Sequence, residues 1–286
     1  MSTQSTREYP QSERDWKYVK VEIENGIAWV SLNRPEKRNA MNPPLNDEMV
    51  EILDALEVDE SVGVVVLTGS GDSFSGGMDL KEYFRDLDDL PYAQQIRRRR
   101  SAWQWQWRML LRYSKPTIAM VNGWCFGAAF TPLVACDLAI AAEDATFGLS
   151  EINWAMLPGG NVLQAVIATM NLRDAMYYVT TGDPFTGRKA MEMGLVNEAV
   201  PLADLKDRTT ALAQQLLSKN PTVLRGAKSA VRQVKRLDWE ASDEYLTAKN
   251  AQVRLLDPEG GRAAGLTQFL DEKSFRPGLG GYQRNG

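Results

Sequence analysis

Val62-Gly63-Val64-Val65-Val66-Leu67-Thr68-Gly69 is the stretch on which the fold turns, an almost unbroken apolar run closed by Thr-Gly. A strand with one wet face alternates in polarity, so a run without alternation predicts a parallel strand covered on both faces. The pattern returns at Thr117 to Val121 and at Leu138 to Ala142, with helix-like sequence between the runs. That order predicts an α/β fold with right-handed crossovers. Upstream, Val19, Val21 and Ile23 alternate with Lys20 and Glu22, and Asn25-Gly26 supplies the positive-φ pair of a tight hairpin before Ile27 to Leu32 resumes as strand. Asn42-Pro43 reads as the cap and first turn of an amphipathic helix bearing Leu45, Met49, Ile52, Leu53 and Leu56 on one face. Beyond Leu202 the strand signals stop, and helices follow with breaks near Asn220-Pro221, Asp238 and Asp257-Pro258. The expected organisation is a flexible leader over 1–15, an α/β body over 16–200, a helical region over 201–277 and a mobile tail over 278–286.

The composition removes whole mechanisms. Among 286 residues there is no histidine, which excludes Ser-His-Asp and Cys-His nucleophile pairs, HExxH zinc sites and imidazole bases. Acid-base chemistry must then use carboxylate, lysine, tyrosine or water. A net charge of −4, from 33 basic and 37 acidic side chains, gives no global field toward nucleic acid or an anionic membrane. The two cysteines, Cys125 and Cys136, lie in an apolar stretch without a second pair for a metal site or disulfide framework. They read as buried thiols in a reducing compartment, and the cytoplasm is the expected location. The polar N-terminus lacks the apolar region of a secretory signal. The run Trp124 to Ala142 is interrupted by Pro132 and Asp137, so a buried helix and strand are expected rather than a membrane span.

Three segments could carry chemistry. Ser75-Gly76-Gly77-Met78-Asp79-Leu80-Lys81-Glu82 puts two glycines before an incipient helix, where backbone can approach a ligand and the first helical N–H groups can face developing negative charge. Asn122-Gly123-Trp124-Cys125-Phe126-Gly127-Ala128-Ala129-Phe130 is a second glycine-bearing turn between a buried strand and a helix of small residues. Two such turns, converging, would make a two-donor oxyanion hole. In Phe147-Gly148-Leu149-Ser150-Glu151-Ile152-Asn153-Trp154 the carboxyl of Glu151 stands in an apolar, aromatic setting that would raise its pKa for acid-base work; the plainer reading is a helix-capping glutamate after Ser150.

Taken in order, these segments resemble the crotonase (enoyl-CoA hydratase/isomerase) superfamily, from residue 17 to 282. The resemblance extends to Asn33-Arg34-Pro35, Asn39-Ala40-Met41, Cys136-Asp137 and Thr181-Gly182 through Ala190 to Gly194-Leu195-Val196. Trp124-Cys125-Phe126-Gly127, the Trp103-Gln104-Trp105-Gln106-Trp107 cluster, Met78 to Tyr83 and Ser150 to Trp154 are similar to the hydroxycinnamoyl-CoA hydratase-lyase branch. The resemblance implies a repeated ββα spiral core with a C-terminal helical trimerisation region, and a homotrimer or hexamer. It implies hydration and retro-aldol cleavage of 4-hydroxycinnamoyl-CoA, feruloyl-CoA giving vanillin and acetyl-CoA. By the same resemblance the backbone N–H groups of Met78 and Ala128 hold the enolate, and Glu151 is the acid-base residue. CoA contacts map to Lys37, to Gly76, Gly77, Met78, Asp79, Leu80 and Lys81, and to Ala128, Ala129 and Phe130. Tyr83, Thr131, Trp154 and Thr247 map to the acyl pocket. Coenzyme A enters as part of the substrate, with no metal and no bound cofactor.

The chain departs from the family pattern at three places. Ordinary hydratases hold water between two glutamates, and the first of these positions is Thr131, which argues against a plain aliphatic hydratase. The branch's triple-glycine turn reads Gly127-Ala128-Ala129, tolerable at negative φ and costly at positive φ. A second phenol-binding tyrosine falls at Thr247, two residues after Tyr245. Other readings are a different crotonase-type hydratase or isomerase, and a weakly active CoA-ester binder. Arg97 to Arg100 beside Trp103, Trp105 and Trp107 could read as a nucleic-acid surface. Trp103, Trp107, Leu110 and Leu111 instead fall on one helical face that would pack in the core or an interface, leaving the arginines as a solvated end. No nucleic-acid or membrane partner is therefore expected.

Overall fold

A computed structural model of the chain describes residues 7–8, 16–276, 278 and 280–284. All of the expected leader except Arg7 and Glu8 lies outside these residues. The strands are β1 (Arg7–Glu8), β2 (Val19–Glu24), β3 (Ile27–Leu32), β4 (Val64–Gly69), β5 (Ser73–Ser75), β6 (Thr117–Val121), β7 (Trp124–Phe126), β8 (Leu138–Ala142), β9 (Thr146–Gly148), β10 (Pro184–Thr186) and β11 (Glu198–Val200). The helices are α1 (Pro43–Val58), α2 (Asp86–Asp88), α3 (Tyr92–Trp103), α4 (Phe130–Ala135), α5 (Val162–Thr169), α6 (Leu172–Thr181), α7 (Gly187–Glu192), α8 (Leu205–Leu217), α9 (Pro221–Val234), α10 (Trp239–Leu256) and α11 (Gly261–Leu270).

A larger sheet runs β1-β2-β3-β4-β6-β8-β11, antiparallel through β1, β2 and β3 and parallel from β3 onward. All six residues of β4 are buried, as its unbroken apolar run predicts. The β2–β3 hairpin turns through Asn25 and Gly26, both at positive φ. Helix α1 opens on Asn42, whose side chain accepts from Leu45 N, and its five expected apolar positions are buried. A second sheet, β10-β9-β7-β5, is built of three-residue strands too short to show periodicity. Its members β5, β7 and β9 are parallel, so their C-terminal ends share one edge. Each candidate segment leaves from that edge.

The chain divides into two compact units at Ala213/Gln214, inside α8 rather than at 200/201. Leu205, Thr209 and Ala213 on the first turns of α8 are buried, which explains why that part belongs with the α/β unit. In the second unit α9 bears Gly226 where a Cβ would stand 2.4 Å from Val253 Cγ2 of α10, so the two helices approach closely there. The described part of the expected tail is tied down: Gln283 N donates to Gln268 Oε1 at 2.8 Å, Gln268 Nε2 donates to Gln283 O at 2.9 Å, and Arg284 pairs with Glu259.

The tryptophan cluster contains a change of helical pitch. The helix changes to π pitch over Gln104–Met109, which shifts the phase of its faces. Trp105, Gln106 and Leu110 are buried, while Trp103, Trp107 and Leu111 are half-buried. Trp105 Nε1 donates to Asn46 Oδ1 of α1 at 2.8 Å. Arg97, Arg98 and Arg100 are exposed as expected, whereas Arg99 pairs with Asp88 at 2.6 Å and lies over the Tyr83 ring.

Candidate active site

Register in the second sheet sets the site. Ser75 pairs with Cys125, and Phe126 pairs with Gly148, so the Gly76–Met78 turn, the Gly127–Ala129 turn and the Ser150–Trp154 turn leave side by side. Gly77 has φ +90°, and a Cβ there would stand 2.7 Å from Phe126 O and 3.3 Å from Ala128 N. Only glycine lets the two turns close in this way. Gly127 has φ +52°, and a Cβ there would stand 3.1 Å from Glu151 Oε1. The carboxyl of Glu151 therefore rests against the turn that carries Ala128.

The Met78 amide is left available by an unexpected device. Met41 N donates to Gly77 O at 2.8 Å and Asp79 N donates to Met41 O at 3.1 Å in a parallel bridge, and Gly77 N donates to Ser75 Oγ at 3.1 Å, so the N–H groups on either side of the Met78 N–H are both taken. The helix expected to begin here is a π segment, Leu80–Arg85, and its first amides face the Asp79 carboxylate, which accepts from Lys81 N at 3.0 Å and Glu82 N at 2.8 Å. Met78 thus stands ahead of the helix, and the helix end is occupied by its own cap. Ala128 N belongs to the first amides of the 3₁₀ turn Gly127–Ala129, which have no earlier carbonyl of that turn to reach.

A buried ion network fastens the first turn. Arg34 Nη1 donates to Asp79 Oδ2 at 3.0 Å and to Ala40 O, and Arg34 Nη2 donates to Glu82 Oε1 at 2.9 Å. Asn42 Nδ2 donates to Glu82 Oε2 at 2.8 Å. Burial pushes the Asp79 carboxyl up, but the Glu82 amide, Arg34 and the Lys81 amide outweigh it and hold the group below its ordinary value. The second turn has no such fastening. Phe126 stacks on Trp124 with centroids 4.9 Å apart, and the Arg38 guanidinium lies 3.8 Å above the Trp124 ring.

Glu151 does not cap its helix. The turn Ser150–Trp154 has no side-chain cap, and Glu151 Oε2 is sealed from solvent without a hydrogen-bond partner among the described residues. Burial pushes its carboxyl above the ordinary carboxylate range, against a smaller pull from its own backbone N–H. Asn153 Nδ2 donates to Gly182 O at 3.3 Å and holds this turn in place.

Of the other expected residues, Tyr83 is buried with Leu87 and Ala102 against Met78, and burial, eased by Arg99, pushes its hydroxyl up to about 12. Thr131 is buried and donates to Gly160 O at 2.8 Å, so its hydroxyl holds the Gly159-Gly160 loop. Lys37, Gly76, Leu80 and Lys81 are exposed and Ala128 is half-buried. At three of the mapped CoA positions the side chain is engaged or buried: Asp79 is committed to Arg34 and to its helix, Phe130 is buried among Phe147 and Phe185, and Ala129 is buried. Trp154 is 63% exposed at the end of its turn. Thr247 is exposed on α10 of the second unit. The φ of Ala129 is −64°, and Ala128 is not among the positive-φ residues, so neither alanine is strained. Among the described residues no group of three His, Cys, Asp or Glu could hold a metal ion, and no helix is long and apolar enough to cross a membrane.

A mixed seven-stranded sheet, a second sheet of short strands, two glycine turns closing on one another and a carboxyl laid against one of them define the class. The enoyl-CoA hydratase/isomerase family model matches residues 22–276, and the chain belongs to that family, whose enzymes act on CoA thioesters. A Pseudomonas fluorescens hydroxycinnamoyl-CoA hydratase-lyase is 60% identical over 269 residues, 94% of this chain and 98% of that one. The Escherichia coli (strain K12) 2,3-dehydroadipyl-CoA hydratase is 32% identical over 87% of this chain and 93% of its own. Among solved structures, an enoyl-CoA hydratase from Mycobacterium smegmatis superposes with a TM-score of 0.81 at 26% identity, covering 90% of this chain and 97% of that one.

Proposed function

We propose that this enzyme hydrates 4-hydroxycinnamoyl-CoA thioesters and cleaves the adduct by a retro-aldol step, converting feruloyl-CoA and water to vanillin and acetyl-CoA. The observation that carries the reading is the Glu151 carboxyl beside Gly127, one residue from Ala128 N, with its Oε2 sealed and without a partner among the described residues. The identity of 60% to the hydratase-lyase supports the choice of acyl group. Water oxygen adds to Cβ and a proton is delivered to Cα, with Glu151 relaying both protons. The Glu151 carboxylate then takes the β-hydroxyl proton, the Cα–Cβ bond breaks to release the aldehyde, and the acetyl-CoA enolate is reprotonated at Cα. In both halves negative charge develops on the thioester oxygen, where the Met78 and Ala128 N–H groups receive it without reorganising. A para-hydroxyl on the ring assists the first step by pushing electrons toward a quinone-methide-like intermediate. Tyr83 stays protonated at physiological pH and donates toward that hydroxyl.

The same reading makes the enzyme cytoplasmic, in keeping with the buried free thiols Cys125 and Cys136, and a trimer or pair of stacked trimers. Exposed Ile152, Leu157, Leu172 and Met176 in the first unit support an assembly, which light scattering at micromolar concentration measures. For the reaction, the enzyme is incubated with feruloyl-CoA and with crotonyl-CoA, following absorbance and product mass. Vanillin and acetyl-CoA from the first are expected. Hydration of crotonyl-CoA alone would replace the reading with a plain hydratase.

A further inference from the structure

Two π-helical segments meet the Met78 side chain, Leu80–Arg85 through Tyr83 and Gln104–Met109 through Gln106. A π segment shifts the phase of a helix and so re-aims its side chains, and such segments are frequent at functional sites. The residue re-aimed by the second one is Gln106, which is 2% exposed and yet polar. Its Nε2 lies 3.5 Å from Met41 Sδ and 3.4 Å from Met78 Sδ. Thioether sulfur only accepts, and weakly, so the amide nitrogen faces the two sulfurs and the carbonyl oxygen is turned away from them. No described residue donates to that oxygen, and it is not among the sealed, unpartnered atoms, so it keeps access to adjoining space.

Tyr83 Oη stands in the same condition, without a partner among the described residues and unsealed, although its ring is buried. Tyr83 and Ala102 pack on Met78, and Gln106 sits one helical turn beyond Ala102. Two unpaired polar groups therefore border the side chain of the residue whose N–H faces the thioester. A buried amide left with only sulfur partners costs stability, and such groups persist where a ligand completes them.

We propose that Gln106 is a specificity-determining residue that accepts a hydrogen bond from the ring hydroxyl of the acyl group, while Tyr83 donates to the same hydroxyl oxygen. This rests on the hydroxycinnamoyl reading. The phenol then has one donor and one acceptor, both from the first unit, and an unsubstituted ring leaves both unmet.

The test uses the full-length enzyme with Gln106→Met, which keeps the length and removes the amide, and Gln106→Glu, which keeps an acceptor oxygen. The ratio of kcat/KM for 4-hydroxycinnamoyl-CoA over cinnamoyl-CoA should fall about two- to tenfold in Gln106→Met, the scale of one neutral hydrogen bond, and be largely retained in Gln106→Glu. Binding of 4-hydroxybenzaldehyde against benzaldehyde, read by tryptophan fluorescence, should lose discrimination in the same pattern. Equal loss on both thioesters, or unchanged discrimination between the aldehydes, would overturn the proposal and leave Gln106 a packing residue. If no thioester is cleaved but wild type still prefers the hydroxylated aldehyde through Gln106, the proposed reaction fails and the specificity role stands.

Discussion

The two turns that meet at the site are held by opposite means. The Gly76–Met78 turn is fastened by charge: Arg34 reaches Asp79 and Glu82, Asn42 closes on Glu82, and Ser75 Oγ donates to Asn39 O at 2.9 Å. The Gly127–Ala129 turn is fastened by shape, through the Phe126 ring stacked on Trp124 and seated where Gly148 has no side chain. Charge fastening is strong but fails with pH or with loss of one partner, whereas shape fastening ignores pH and fails with volume. Each turn can therefore be loosened separately, and Glu151, which lies against Gly127 of the second, reports on movement there.

The largest expected effect removes that reporter. Glu151→Gln should lower turnover by about 10²–10⁴-fold, since no histidine or second glutamate stands in for it. Because burial raises the folded-state pKa, this group's contribution to stability is full below its unfolded pKa and lost as pH rises through the folded value. Above the folded value the ionised carboxylate is thus a burden on the fold, and there the variant's melting temperature should not fall below that of wild type. Retention of a tenth or more of the turnover, measured with feruloyl-CoA, sinks the assignment. In wild type the acid limb of kcat/KM should lie above the ordinary carboxylate range.

Next is the charged turn. Arg34→Met leaves Asp79 buried without its partner, and breaking a buried pair in this way costs about 3–5 kcal/mol. Urea unfolding measures it, and a loss below about 1 kcal/mol would return the pair to the worth of a surface bridge. Asp79 is held below its ordinary pKa, so its stabilisation exists above the unfolded value and disappears as pH falls through the folded one. The acid unfolding midpoint should rise in Arg34→Met.

The shape-held turn should give less. In Gly148→Ala the new methyl would lie 2.2 Å from the Phe126 ring, and overpacking of this kind costs about 1–3 kcal/mol. Turnover should fall with it, because the ring moves Gly127 against Glu151, while the slope of stability against pH on the acid side stays at the wild-type value. A changed slope would show that the two turns are not independently held.

How much of this was legible follows the range of the interactions. Thr117 to Val121 and Leu138 to Ala142 were read to the residue, because a fully buried strand writes its own apolar run. The start of α1 was readable from Asn42 because capping is local. The second sheet was not, since three residues carry no period, and it is this sheet that brings Gly77, Gly127 and Glu151 together. The link between Arg34 and Asp79 spans 45 residues of chain and leaves no local mark. At Trp105 and Gln106 the π pitch buries residues that a reading at 3.6 residues per turn, with Trp103 and Trp107 on the packed face, did not assign.

The smallest effect concerns Ala128, where the chain departs from the family's run of glycines. Alanine would be costly at positive φ, but the residue of this turn with positive φ is Gly127, at +52°, and Ala128 and Ala129 both lie on the negative side. At a compatible φ, alanine stabilises relative to glycine by restricting the unfolded chain, by about 0.4–1 kcal/mol. Ala128→Gly should therefore lower stability by that amount in urea unfolding. Turnover should also drop, by about threefold or less, because the N–H survives while the turn that presents it loosens; this stays far below the 10²–10³-fold loss of a whole oxyanion donor. The double variant with Gly148→Ala sharpens the contrast, since a looser turn can yield to the displaced Phe126 ring and the two costs should not add. If Ala128→Gly instead raised stability or turnover, the alanine would be a strained residue in the second turn, and shape alone would no longer account for how that turn is held.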